Sequence, residues 1–392
     1  METQVDVESL ASGRFQSSAA VWVDLFDQMN HAGPFLSPRW TGVWVQVFGS
    51  SLRPSLVTFR NRQLGVIGAC LLTARTRYHA LLPHVRWHLN TDGEPASDSV
   101  VIEHNGVLAS LGQESRVYAA LAQHVECSRV DELRLSGVDE SGLTELLAAF
   151  PSWSKGVEWR EAPYVQLDRV RARGGDHLGI LSRNTRAQLR RSIRRYGTRG
   201  AIRLQAASTA EEAEAMLREL IHLHQARWAV RGGGGGFASQ KRREMHTAFV
   251  REATPVGEAQ LLRMTVNGET VGVLYNLVAH GKVCFYQSGF RYEADQALRP
   301  GMVAHHLAVE YNVSLGNSEY DFMASAPGEG RYKYSLATDV RRLAWVTLHR
   351  PGWRTRYFSA VRSVRRLLTR GMSHLLPATD TSVANQPPLP AT

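Results

Sequence analysis

The short run Arg299-Pro300-Gly301 could bind an anionic group, because it stands between a predicted strand at residues 283–290 and a predicted helix at residues 302–315. Pro300 fixes φ and has no N–H, which suits the first turn of a helix. Gly301 leaves room for another molecule to approach the backbone. The first N–H groups of such a helix have no internal partner and attract negative charge. The run therefore predicts a phosphate site, although an ordinary strand-to-helix connection with a Pro-Gly start fits the pattern equally well.

Motifs on both sides of this run resemble those of the GNAT superfamily of acyltransferases. The resemblance rests on Tyr286-x-x-Gly289-Phe290, Pro300-Gly301, Gly316, Asp321-Phe322 and Tyr332-Lys333, with upstream matches at residues 181–186, at His224-x-x-Arg227-Trp228 and at residues 35–40. The chain more closely resembles the CelD-like branch, which is related to the Fem-type aminoacyltransferases of cell-wall peptide synthesis. The motifs span about residues 35–345, so the resemblance implies an α/β (α+β) fold for most of the chain.

The resemblance implies that an acceptor amine attacks an acyl thioester directly. Asp321 would bind or deprotonate the amine, Lys333 would stabilise negative charge or hold an acidic substrate group, and Tyr332 would protonate the departing thiolate. Tyr286 would face the reacting groups as the fourth catalytic residue. The donor-binding residues would be Gln287, Arg299, Gly301, Met302 and Val303, and the substrate-binding residues would be Arg186, Trp228 and His305. Structural roles are the alternative, since Asp321 could cap a turn and both tyrosines could be core aromatics.

One departure from the superfamily pattern leaves the donor open. The common phosphate loop, Gln/Arg-x-x-Gly-x-Gly/Ala, is absent in strict form, and Arg299-Pro300-Gly301 stands in its place. The donor could therefore be acyl-CoA, an acyl carrier protein or an aminoacyl-tRNA. Each would be a phosphate-bearing co-substrate, and we expect neither a permanently bound cofactor nor a metal site.

The composition of the 392 residues limits the compartment and the class of partner. Cys70, Cys127 and Cys284 are far apart, which excludes a disulfide framework and a paired-cysteine metal site and favours a reduced, cytoplasmic compartment. No apolar run is long enough to cross a bilayer, and the acidic N-terminus lacks the apolar segment of a secretory signal. The formal net charge of +10 fits anionic partners in general.

Chain length and a repeated order of elements predict two tandem GNAT-like domains, each a mixed, mostly antiparallel sheet flanked by helices. The chain is too long for one ordinary core, and the order of hairpin, strand, helix and strand occurs twice. We expect a degenerate N-terminal domain at residues 1–172, the acyltransferase domain at residues 173–350, and a basic amphipathic helix with a disordered tail at residues 351–392. The helix at residues 353–376 could pack on the enzyme or lie on the inner face of the membrane.

Local patterns predict several individual elements. Trp40, Trp44 and Phe48 recur at helical spacing, which predicts a helix that faces the core. Asn267-Gly268 between two apolar runs is the clearest hairpin signal. Residues 114–127 fit a helix, and residues 164–167 fit a short strand that closes the first domain.

Two stretches of the second domain could take part in binding. The predicted helix at residues 182–196 carries six arginines, which would form either an ordinary solvated face or a ridge that steers a phosphate-bearing ligand. The glycine run at residues 232–236 fits a flexible hinge or a loop that gates the substrate.

The sequence thus predicts an N-acyltransferase that moves an acyl group, other than an amino-acyl group, to an amine of a small or saccharide-linked metabolite. One alternative is a Fem-like transferase that forms peptide bonds from aminoacyl-tRNA, which the net charge and the arginine helix would suit. The other is a basic module without catalysis that binds nucleic acid or a membrane surface. Its nucleic-acid form is disfavoured because zinc-finger spacing and RNP-type aromatic pairs are absent.

Overall fold

The computed structural model of the chain describes residues 3–10, 15–79, 82–230, 235–325 and 330–361. Within these ranges the strands of the first half are β1 (Gln4–Ser9), β2 (Ser55–Asn61), β3 (Gly65–His79), β4 (Leu82–Leu89), β5 (Leu108–Ala109), β6 (Glu132–Asp139) and β7 (Ser154–Gln166). Those of the second half are β8 (Ile202–Ala206), β9 (Ala259–Val266), β10 (Glu269–Ala279), β11 (Lys282–Phe290), β12 (Glu319–Asp321) and β13 (Asp339–His349).

Helices cover both faces of these strands. In the first half they are α1 (Phe15–Gln28), α2 (Pro38–Leu52), α3 (Glu114–Cys127), α4 (Glu140–Ala148) and α5 (Leu167–Arg171). In the second half they are α6 (His177–Ile180), α7 (Arg183–Gly197), α8 (Ala210–Val230), α9 (Gln240–Ala253), α10 (Pro300–Ser314) and α11 (Arg331–Leu336), and residues 353–361 are helical as well. None of the described helices combines the length and the apolar character that a membrane crossing requires.

A single sheet takes up all thirteen strands. Its order is β1-β2-β3-β4-β6-β13-β7-β12-β11-β10-β9-β8, with β5 beside β3. The neighbours β4 and β6 are parallel, as are β11 and β12, and every other pair of neighbouring strands is antiparallel. The predicted mixed, mostly antiparallel α/β fold is therefore confirmed.

The two halves repeat one order and exchange their last strands. In each half four strands form an antiparallel meander, β1–β4 in the first and β8–β11 in the second. A later strand, β6 or β12, then pairs in parallel with the last strand of the meander. β7 of the first half then lies beside β12, and β13 of the second half lies beside β6. β7 and β13 pair with each other from Tyr164 opposite Asp339 to Ser154 opposite His349. Strands from before and after residue 172 belong to one sheet, so the division into two domains at this residue stays a prediction.

An apolar core also joins the halves. It contains the buried rings of Trp40, Trp44 and Phe48 from α2 together with Phe249 from α9. Trp40 and Phe249 meet edge to face with their ring centroids 5.2 Å apart, a favoured aromatic geometry. The prediction that the three aromatic residues of α2 face the core is confirmed.

Most local predictions hold, and one strand is longer than expected. The turn at Asn267-Gly268 has φ of 51° and 82°, as a tight hairpin requires. The strand expected at residues 164–167 instead begins at Ser154, because its first eight residues pair with β13, although half of them are charged and most are exposed. Residues 232–234 of the glycine run and residues 362–376 of the predicted basic helix lie outside the described ranges.

Candidate active site

A cleft opens where β11 and β12 separate. The two strands pair only from Lys282 opposite Glu319 to Cys284 opposite Asp321. β11 continues to Phe290 in contact with β10 on its other side, whereas the chain after Asp321 turns away at Met323 with φ of 58°. Backbone groups on the β12 side of β11 beyond Cys284 therefore face this cleft instead of a neighbouring strand.

Both halves of the chain line the cleft, which has a volume of about 630 Å3. Five of the predicted site residues lie together on its wall: Trp228, Tyr286, Gln287, Tyr332 and Lys333. His224 and Arg227 of the His224-x-x-Arg227-Trp228 motif line it as well. Residues that the sequence did not single out line it too, among them Val101 and Glu103 from the first half and Ser288 from the second. The volume lies within the range of small-molecule sites, about 300–1,000 Å3.

The predicted phosphate turn lies beside the cleft. Pro300 begins α10, as expected, and a Cβ at Gly301 would lie 3.4 Å from the ring of Phe290, which lines the cleft. The N–H of Arg299 donates to Ser192 Oγ of α7 at 3.0 Å, so α7 fixes the entry to the helix. The side chains of the predicted donor-binding residues Met302 and Val303 are buried in the core, so these two residues could meet a donor only through their backbone.

Besides the four residues of the phosphate turn, three predicted site residues do not line the cleft. Asp321 has no exposed side-chain surface. His305 is fully buried, lies 3.0 Å from the hydroxyl of Tyr320 through Nδ1, and packs edge to face on Phe285. Burial lowers the pKa of His305 to about 3. Arg186 donates to the carbonyl oxygens of Leu181 at 2.9 Å and Gly179 at 3.4 Å, so its guanidinium stabilises the turn before α7.

Glu103 is the carboxylate that the cleft contains and that the sequence interpretation missed. Both of its carboxylate oxygens accept the N–H of Ala324, at 3.1 and 2.9 Å. Burial raises the pKa of Glu103 to about 8, against the opposing effects of the Ala324 hydrogen bond and of Lys333. A carboxyl group with such a pKa can both give and take a proton near neutral pH.

Next to Glu103, the buried side chain of His104 bridges two aspartates. His104 Nδ1 is 3.0 Å from both carboxylate oxygens of Asp139, and His104 Nε2 is 3.1 Å from Asp321 Oδ2. Arg341 Nε adds a contact of 3.4 Å to Asp321. Asp139 ends β6 in the first half and Asp321 ends β12 in the second. The imidazole of His104 therefore connects the ends of these two strands.

The amine of Lys333 binds the turn that follows β12. Its Nζ donates to the carbonyl oxygens of Phe322 at 2.8 Å and Met323 at 3.4 Å. Tyr332, the preceding residue, also lines the cleft, and burial raises the pKa of its hydroxyl to about 12. Tyr332 therefore keeps its proton at neutral pH.

Tyr286 connects the cleft to the aromatic core. Its ring packs between Trp40 and His246, with centroid distances of 5.8 and 4.8 Å. Its hydroxyl accepts the N–H of Val101 at 3.3 Å. Burial raises the pKa of this hydroxyl above its usual value of 10, so it is a neutral hydrogen-bonding group.

His224 fixes the α8 wall of the cleft. Its Nδ1 lies 3.1 Å from the carbonyl oxygen of Ser288, and its Nε2 accepts the N–H of Gly236 at 3.1 Å. Burial lowers the pKa of His224, which agrees with a neutral ring that donates through one nitrogen and accepts through the other.

The corresponding gap in the first half is filled by the chain itself. There β4 pairs in parallel with β6 only between Arg86 and His88, and the segment at residues 102–106 lies over the rest of β6. Asn105 forms a parallel bridge with Val138, and its N–H donates to the carbonyl oxygen of Gly137 at 3.0 Å. A Cβ at Gly137 would lie 2.7 Å from the Ile102 carbonyl oxygen. The segment that closes this gap is the one that brings Glu103 into the cleft of the second half.

A comparison with sequence families assigns the second half. The family profile described as "Acetyltransferase (GNAT) domain" matches residues 183–334. Residues 183–334 are a GNAT domain. The match contains all twelve residues that the sequence predicted for catalysis, donor binding or substrate binding, whereas Glu103 of the first half lies outside the GNAT domain. In the described part of the chain no group of three or more His, Cys, Asp or Glu is arranged to hold a metal ion.

Solved structures share this fold over both halves. FemX is 12% identical with a TM-score of 0.55, and the match covers 86% of this chain and 96% of FemX. The C-terminal domain of a protein described as a lysylphosphatidylglycerol synthetase from Agrobacterium fabrum is 8% identical with a TM-score of 0.53, covering 90% of this chain and 95% of that domain. L-PGS from Bacillus licheniformis is 11% identical with a TM-score of 0.50, covering 93% and 99%.

At these identities the likeness shows the fold alone. No curated protein matches the chain in sequence. The predicted GNAT superfamily is confirmed for residues 183–334. FemX shares the fold, and the assignment to the CelD-like branch with its Fem-type relatives stays a prediction.

Proposed function

We propose that the protein is an N-acyltransferase, which moves an acyl group from a phosphate-bearing thioester donor to an amine. The observation that carries this proposal is the cleft between β11 and β12. The N-terminus of α10 lies next to this cleft and packs against Phe290, which lines it. The carboxyl group of Glu103 lies on the cleft wall. A donor that follows β11 would thus have its phosphates at a helix N-terminus and its thioester within the cleft.

The reaction would proceed by direct attack. The amine nitrogen bonds to the thioester carbonyl carbon, the ionised form of Glu103 takes the proton from the amine, and the C–S bond breaks. The departing thiolate receives a proton from Tyr332, which its raised pKa keeps protonated. Lys333 lies on the same wall and would stabilise the negative charge of the tetrahedral intermediate.

In this proposal Glu103 takes the role that the GNAT resemblance implied for Asp321. Asp321 has no exposed side-chain surface and is engaged by His104, Arg341 and the N–H of Met323. Glu103 lines the cleft, and its pKa of about 8 suits the deprotonation of an amine. We therefore propose that Asp321 supports the site from beneath and that Glu103 is the base.

The proposed acceptor is an amine of a small or saccharide-linked metabolite, and the proposed donor is acyl-CoA or an acyl carrier protein. A cleft of about 630 Å3 would hold a small acceptor beside the end of a pantetheine arm. Such substrates would place the reaction in the cytoplasm, and the basic segment at residues 353–376 could add a weak contact with the inner membrane face.

A second candidate donor is aminoacyl-tRNA, and one specific feature favours it. Arg183, Arg190 and Arg194 are exposed on one face of α7, and among the described residues none of them has a carboxylate partner. The opposite face of α7, with Leu189 and Ser192, packs against α10 and its entry. A ridge of free guanidinium groups on the outer face of α7, which packs against α10, fits an extended polyanion. The fold shared with FemX agrees with this candidate without deciding for it.

Thermal stability of the full chain tests the donor class without knowledge of the acceptor. We expect the melting temperature to rise with acyl-CoA or with an acylated carrier protein, since a ligand at 100 times its Kd adds about 2.7 kcal/mol of stability. Gly301→Asp should abolish the rise by repelling phosphate. Gly301→Ala should lose less of it, because the new methyl group carries no charge and would only reach van der Waals contact with Phe290. A rise with aminoacyl-tRNA alone would select the second candidate, and no rise with any donor would contradict both.

A further inference from the structure

The bridge formed by His104 lies directly beneath the segment that walls the cleft. Asp321 Oδ1 accepts the N–H of Met323 at 2.6 Å, and Glu103 accepts the N–H of Ala324. His104 contacts Asp321 through Nε2 and is covalently next to Glu103. Both acceptors that hold the Met323–Ala324 segment are therefore fixed by the same residue.

The backbone at both ends of this arrangement is strained. His104 has φ of 50° and Met323 has φ of 58°, in the left-handed region that side chains other than glycine seldom adopt. Such conformations persist only where the surrounding contacts require them, and they concentrate at functional sites. At His104 the required contacts are those with the two aspartates.

We propose that His104 is a positioning residue of the acyltransferase site: as an imidazolium clamped between Asp139 and Asp321, it holds Glu103 and the Met323–Ala324 segment in their working geometry. The inference rests on the proposed function, because it assigns Glu103 a working geometry. It goes further in making the first half of the chain, through Asp139, a determinant of activity in the GNAT domain.

The charges around His104 support the cationic form. Burial opposes a charged ring, but Asp139 and Asp321 outweigh burial and the repulsion from Lys282, and they raise the pKa of His104 to about 9. The reciprocal effect lowers the pKa of Asp139 to about 2 and lowers that of Asp321, to which Arg341 also contributes. Glu103, with its pKa of about 8, is a further titratable group beside the bridge, as are Cys284, which pairs with Asp321, and Glu319, which contacts Arg341.

Asp139→Asn tests the proposal, because Asp139 is 36% exposed in its side chain and does not line the cleft. Loss of this charge should lower the pKa of His104 by about 1 to 2 pH units, measured from the nitrogen chemical shifts of its ring in the full chain. Amide hydrogen exchange of residues 321–325 should speed up at pH 8 and stay near the wild-type rate at pH 6, where His104 is charged in both proteins.

The matched control is Asp92→Asn, which removes the partner of another histidine, His88, at 3.3 Å and leaves the cleft wall untouched. It should change neither the His104 titration nor the exchange of residues 321–325. Where turnover is measurable, kcat of Asp139→Asn should fall by about two- to tenfold at pH 8, in proportion to the charged fraction of His104, with less loss at pH 6.

Unchanged exchange in Asp139→Asn at pH 8, or a wild-type His104 that titrates below about 7, would overturn the positioning role. Exchange and ring titration are read without any substrate. They therefore decide this inference even if no acyl donor binds, which would count against the proposed function alone.

Discussion

Glu103 accepts the backbone N–H of Ala324 across 221 positions of sequence, at 3.1 and 2.9 Å. The contact puts a carboxyl group of the first half on the wall of the GNAT cleft. The halves are also joined within the sheet, because β7 of the first half pairs with β12 and β13 of the second half pairs with β6. The first half is thus part of the cleft rather than a separate neighbour.

Gly289→Ala should destabilise the GNAT domain. A Cβ at this position of β11 would lie 2.4 Å from the Leu220 carbonyl oxygen and 2.9 Å from Leu223 Cβ, so α8 would have to move. We expect the free energy of unfolding to fall by about 1–3 kcal/mol, which urea denaturation measures. Gly301→Ala, whose new methyl group meets only the edge of the Phe290 ring, is the control and should lose less. Equal stability of Gly289→Ala and wild type would show that α8 does not press on β11.

Reversing charge on α7 should separate large donors from small ones. In Arg190→Glu/Arg194→Glu two exposed guanidinium groups of the ridge become carboxylates. For a carrier-protein or tRNA donor we expect KM to rise at least tenfold and the salt dependence of binding to weaken, because phosphate or carboxylate contacts are lost. Acyl-CoA binding should change little, since this face points away from α10. Arg218→Glu, on the exposed side of α8, provides the same kind of charge change elsewhere. A loss of acyl-CoA binding as large as that of the large donors would refute this account of the ridge.

Trp40→Ala should weaken both halves together. Trp40 is fully buried, packs on Phe249 of the second half, and donates from Nε1 to Thr91 Oγ1 at 3.0 Å. Removing such a ring costs about 3–5 kcal/mol, and calorimetry should show one transition at a lower temperature. Trp353→Ala, at an exposed position, should change stability by less than about 0.5 kcal/mol. Two separate transitions, with only one of them shifted, would mean that the halves fold independently.

Local signals in the sequence predicted much of the fold. Pro300 at the start of α10, the Asn267-Gly268 turn and the aromatic face of α2 each depend on a few neighbouring residues. Their conformations follow from φ preferences or helical spacing, so they can be read without knowledge of the rest of the chain. The extra length of β7 could not, because its mostly exposed first residues, half of them charged, are held in the sheet by β13 from the other end of the sequence.

The site was predictable only where the GNAT motifs lie. Trp228, Tyr286, Gln287, Tyr332 and Lys333 meet in the cleft as a group. Asp321 has the right place in the motif, but His104 of the first half engages its carboxylate. Glu103 was missed for the same reason, since a contact between distant parts of the chain leaves no periodic pattern. The one local hint was an acidic residue followed by His104 directly after the apolar run at residues 100–102.

The activity of Glu103→Gln as a function of pH tests the central claim most directly. Glutamine keeps an acceptor for the Ala324 N–H but cannot take a proton, so we expect the donor-induced rise in melting temperature to remain and kcat to fall by about 100- to 10,000-fold. Only ionised Glu103 is a base and burial raises its pKa to about 8, so wild-type kcat/KM should climb as the pH rises through about 8, and this rise should be missing from Glu103→Gln. A variant with wild-type turnover and the same pH profile would contradict the assignment of Glu103 as the base of this GNAT cleft.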